Sequence, residues 1–138
     1  MKKHLLKLFS LTIFTFVLAT EIFAQATFGT GPLYVRVGPY GEIRIFTIEG
    51  VDTVQHINRI SLIAAGNTDQ VIDYWNDLEV VLPTELVTSP QLSDYEITGT
   101  YDNAYSELPP DFLIEQHVYG WNGESYGLVK CILTNQET

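Results

Sequence analysis

The chain has 138 residues, seven Lys and Arg against seventeen Asp and Glu for a formal charge of −10, and one cysteine. That length holds one domain with a single core. The acidic field and the lack of any Lys/Arg stripe argue against nucleic acid or anionic lipid as a partner, and Cys131 alone permits neither an intramolecular disulfide nor a cysteine-type zinc site.

The N-terminus reads as an export signal. Lys2, Lys3, His4 and Lys7 form a basic cluster, and Leu8 to Leu18 is an uncharged apolar run of signal-core length. A membrane span needs roughly 20 apolar residues, and Glu21 interrupts too early for that. Ala24-Gln25-Ala26 offers the small residues a signal peptidase accepts, so residues 1–26 are expected to form a cleaved signal helix, cut between Ala26 and Thr27. Such a chain is secreted, to the periplasm, the cell surface or beyond, with no stable membrane insertion after cleavage. Removal of Lys2, Lys3, Lys7 and Glu21 leaves four basic against sixteen acidic residues, a formal −12 that the signal masks.

The remainder, 27–138, is expected to be a single domain. Leu33 to Val37 and Glu42 to Ile48 are extended runs around Gly38-Pro39-Tyr40-Gly41, a hairpin pattern. Asn58 to Ala65 fits strand or short helix, and Val71 to Leu82 mixes a helical period with the extended Val80-Val81-Leu82, with strand the preferred reading. From Ser93 to Asp102 the alternation is clear: Tyr95, Ile97, Gly99 and Tyr101 on one face, acids and threonines on the other. Asn103 to Asp111 contains Pro109-Pro110, which cannot continue a ladder and predicts a surface connection. Leu113 to Trp121 and Tyr126 to Thr134 then predict strands joined by a tight Asn122-Gly123 turn of the I′ kind. About seven strands between Gly, Pro and Asn turns predict an all-β antiparallel β-sandwich. Within the last strand Cys131 reads as a small buried apolar residue rather than a reactive thiol.

Ser93 to Ile97, Pro109-Pro110, Tyr119-Gly120-Trp121 and Ile132 to Asn135 together resemble the N-terminal sandwich module of large bacterial exported proteins of unassigned function, of the kind sent out by type IX secretion. The resemblance covers about a third of the chain, and its motifs are structural. It implies a sandwich fold and no catalytic residue. It also implies a protein that continues into further β modules, so the domain is expected to be a truncated piece at Thr138.

Catalytic constellations are missing. No Gly-x-Ser-x-Gly elbow occurs, and His56 and His117 stand in no triad setting. Gly29-Thr30-Gly31-Pro32 lacks the lysine and helix of a phosphate loop. With so many acids, a carboxylate pair at glycosidase spacing carries no information. Glu115 and His117 share a strand face but make only two metal ligands. Asp94, Glu96 and Asp102 also share a face, and hard carboxylate oxygens suit Ca²⁺, the one cofactor the sequence suggests.

Aromatic side chains are dense, and exposed ones stack on sugar rings or anchor protein partners. Tyr40, Trp75, Tyr119 and Trp121 are the candidate ligand-binding platform. The expected function is a non-enzymatic sandwich module with a structural or interaction role in a larger exported protein. The alternatives are a carbohydrate-binding module and an accessory part of a polysaccharide-active enzyme, with polysaccharide or another surface protein as partner.

Overall fold

In the computed structural model of the chain, the described residues are 24–49, 51–65, 71–73, 78–103 and 111–136. Residues 1–23 of the expected signal helix, Trp75 and Pro109-Pro110 lie outside them, whereas Ala26, the last residue of that expected segment, opens the first strand and is buried in the core rather than helical. Among the described residues ten strands run in chain order: β1 Ala26–Gly29, β2 Tyr34–Val37, β3 Ile43–Glu49, β4 Asp52–Ile60, β5 Ile63–Ala65, β6 Val71–Asp73, β7 Glu79–Leu86, β8 Tyr95–Asp102, β9 Phe112–Gly120 and β10 Gly127–Asn135. They form two four-stranded antiparallel sheets, β1-β2-β3-β4 and β10-β9-β8-β7, and a small β5-β6 ribbon. The chain is an all-β protein, as its alternating patterns predict.

The two sheets meet through their inner faces. Phe28, Val35, Val37 and Ile43 of the first pack with Ile97 and Val118 of the second in one buried cluster. The Phe28 ring stacks on Tyr95 across the gap, centroids 5.4 Å apart and planes 4° from parallel. Gly120 is glycine because Phe28 occupies the space a β-carbon would need. A smaller cluster of Leu78, Tyr101 and Ile114 takes in half-buried Cys131 at its margin, where burial pushes the thiol pKa up.

The sheets are also joined by polar ties. Thr84 Oγ1 donates to the Gly38 carbonyl at 2.9 Å, leaving the Tyr101 hydroxyl, 2.6 Å away, to donate to Thr84. That chain connects β8 through β7 to the β2–β3 turn. Burial, and secondarily the Glu42 charge, lifts the Tyr101 pKa to about 12.

Three elements differ from expectation. Asn58 to Ala65 is neither one strand nor a helix: it ends β4, breaks at Ser61 and Leu62, and resumes as β5 in a different sheet. Val71 to Leu82 likewise includes parts of two strands, β6 and the start of β7, so among the described residues ten strands replace about seven. The loop around Asn122-Gly123 is longer than a two-residue hairpin, since β9 and β10 close on Gly120 opposite Gly127. A turn does form there, Glu124 N–H donating to the Trp121 carbonyl at 3.2 Å with Gly123 at φ 81°. Its other donors go elsewhere: Gly123 N–H to the Thr30 carbonyl at 2.7 Å and Asn122 N–H to Asp94 Oδ2 at 2.8 Å. Thr30 Oγ1 donates in return to the Glu124 carbonyl at 2.6 Å. These long-range bonds hold the loop open against the β1–β2 turn.

Candidate functional site

The β2–β3 hairpin alternates strictly. Val35, Val37 and Ile43 are buried, and Ile45 packs against the core beside them. By strand geometry Tyr34, Arg36, Arg44 and Phe46 therefore face outward. The register sets Tyr34 opposite Phe46 and Arg36 opposite Arg44. Glu42 fixes that register from within the turn: its carbonyl accepts from Gly38 N–H at 2.9 Å and its carboxylate from Tyr40 N–H at 3.3 Å.

Tyr34 and Phe46 lie with ring centroids 6.0 Å apart and planes tilted by 59°. The Arg36 guanidinium sits over the Phe46 ring, 5.7 Å from its centroid, a cation–π contact. Tyr34, Arg36, Phe46, Ile48 and Thr53 line an open cavity of about 200 Å³. Both Arg36 Nε and Arg44 Nε are buried without a hydrogen-bond acceptor, and no carboxylate among the described residues forms an ion pair with either arginine. The Arg36 guanidinium beside two aromatic rings, with Arg44 as its cross-strand partner, can stack a planar or ring-shaped ligand and hold an oxyanion.

The outer face of the second sheet is arranged differently. His117 Nδ1 lies 2.8 Å from Glu96 Oε1, and the His117 and Tyr119 rings stack at 5.9 Å, 3° from parallel. Tyr119 is buried, and its pKa is raised by that burial and by the charge and hydrogen bond of Glu96. The ring faces expected of Tyr119 as a platform are thus occupied by its own neighbours.

The remaining sequence candidates are dispersed. Tyr40 is half-buried in the β2–β3 turn. Trp121 is half-buried against exposed Tyr126, centroids 5.7 Å apart, in the loop after β9. Trp75 is outside the described residues. Of the proposed calcium ligands, Asp94 caps Asn122 N–H, Glu96 meets His117, and Asp102 lies opposite Glu79 at the far end of β8. Among the described residues no three His, Cys, Asp or Glu side chains converge on a metal position. Glu115, exposed, and His117 share the outer face of β9 as their spacing requires, with His117 turned to Glu96.

Tyr34, Arg36, Arg44 and Phe46 were not singled out by sequence. Their signal was the inverted pattern of the hairpin, Tyr-Val-Arg-Val against Arg-Ile-Phe, which sets like residue types opposite one another only in the correct register. Compared with known proteins, the chain matches no family model, no curated protein and no solved structure.

Proposed function

We propose that the chain is a secreted, non-enzymatic β-sandwich module that binds carbohydrate on the outer face of its first sheet, as part of a larger exported or cell-surface protein. The observation that carries this reading is the Tyr34–Phe46 pair beside the 200 Å³ cavity on a rigid hairpin. Aromatic faces supply apolar area to the C–H face of a sugar at low entropic cost, and the small open cavity suits a single sugar ring rather than an enclosed substrate. A glycan array is the test: binding lost in Tyr34→Ala with the fold intact supports the reading, and no glycan bound by the native chain refutes it.

A structural role alongside binding draws on β10. It is an edge strand of nine residues with no proline, and Leu128, Val129, Ile132 and Leu133 are exposed on its two faces. The opposite edge, β7, is interrupted by register shifts and carries Pro83, Glu79 and Glu85, features that block pairing. Hydrogen exchange is the check: β10 amides are expected to be slower in the intact surface protein than in the isolated chain, and equal rates would remove this role.

A further inference from the structure

The two arginines of the hairpin have a cost that the carbohydrate reading alone does not explain. Arg36 and Arg44 are direct cross-strand partners, so their β-carbons stand about 5 Å apart and their like charges repel. Arginine does not shed its charge. After the expected cleavage only four basic residues remain, Arg36, Arg44, Arg59 and Lys130, against sixteen acids. A chain so rich in carboxylates has every means to neutralise such a pair, yet among the described residues none does so. Both Nε atoms are instead buried without an acceptor, one of them in the wall of the cavity beside Phe46.

We infer that the cavity takes an acidic sugar, its ring against Tyr34 and Phe46 and its oxyanion held by Arg36 and Arg44. The inference rests on the carbohydrate reading and narrows it to sugars that bear a carboxylate or a sulfate. Two guanidinium forks present planar, paired donors that match either group. The anion also removes the repulsion between the arginines. A neutral sugar does not, since a hydroxyl brings no charge. The Arg36 side chain, laid over the Phe46 ring, is fixed next to the stacking surface, so ring and anion are read together.

The test is calorimetric titration of the chain with a short oligogalacturonate, its methyl ester, and a sulfated galactose oligosaccharide of equal length. The free acid or the sulfated oligomer is expected to bind about tenfold or more tighter than the ester, the scale of a charged hydrogen-bonded pair; which of the two binds identifies the anion. Arg36→Gln should bring the acidic probe down to the level of the ester and leave the ester unchanged. Arg44→Gln, which removes the other guanidinium, repeats the test should Arg36→Gln fail to fold. Binding of both the free acid and the sulfated oligomer no tighter than that of the ester, or discrimination that survives both substitutions, overturns the inference while leaving the carbohydrate reading intact. No binding of any of the three probes, together with a blank glycan array, defeats both.

Discussion

On the outer face of the second sheet, Glu96 meets His117 at 2.8 Å, His117 stacks on Tyr119, and Tyr119 stands directly across the strands from Glu96. On the outer face of the first sheet, Arg36 and Arg44 stand opposite each other with both Nε atoms buried and without acceptors. In the first cluster the polar groups of Glu96 and His117 answer each other, as in a structural network. The second leaves a repulsion and two donors unanswered. Polar groups buried without partners are rare in folded proteins and call for an explanation. The contrast therefore sets a face whose polar groups meet one another against the face that we propose serves a ligand.

Substitutions in the layer between the faces set the scale. Gly120→Ala would drive a β-carbon into the Phe28 ring, and overpacking of this kind costs about 2–3 kcal/mol. A chemical-denaturation midpoint that does not move would mean that the sheets are less closely apposed than described. Alkaline titration reaches the same layer. Tyr101 has its pKa raised to about 12 in the fold, so the folded state holds this proton more tightly than the unfolded chain does. Its stabilisation is complete below the ordinary tyrosine pKa and is lost as pH rises from about 10 through 12, amounting to about 2–3 kcal/mol. Tyr101→Phe should abolish that portion of the alkaline loss, as read from stability measured across the same range.

The faces themselves should respond in opposite directions. Glu96→Gln keeps the shape but removes the charge from the second face, and a loss of about 1 kcal/mol is expected, with affinity for acidic sugar unchanged. Arg44→Gln on the first face removes one half of a repelling pair. Its expected effect on thermal stability without ligand is the smallest of the series, zero or a gain of a few tenths of a kcal/mol, within the range of cross-strand charge pairs. A clear destabilisation by Arg44→Gln would assign the arginines to structure and dissolve the contrast.

Much of the scaffold was legible because its signals are local. Tyr95, Ile97, Gly99 and Tyr101 alternate with polar residues in sequence and line the inner face of β8 in the structure, and the Gly38–Gly41 turn joins β2 to β3 as its composition requires. The site was less legible because it depends on register. Starting the second strand at Glu42 places Val37 opposite the wrong residue, and a shift of one exchanges the faces. In the fold Glu42 is buried within the turn and Ile43 pairs with Val37, which alone brings Arg36 to Arg44. Tyr119 failed as a platform for a related reason: its strand face was correctly read, but the cross-strand Glu96 and neighbouring His117 that enclose it are fixed only by pairing. The Asn122-Gly123 loop was misjudged in length because its donors are claimed by Thr30 and Asp94, far away in sequence.

The central claim is that the first sheet's outer face is incomplete without an anion, and the Arg Nε–Hε resonances report on it directly. In ¹H–¹⁵N spectra of the chain titrated with oligogalacturonate, two Hε signals, those absent from Arg36→Gln and Arg44→Gln respectively, should move together and saturate, while the backbone amides of Glu96 and His117 stay in place. Hε signals of Arg36 and Arg44 that remain fixed while ligand binds elsewhere would contradict the account.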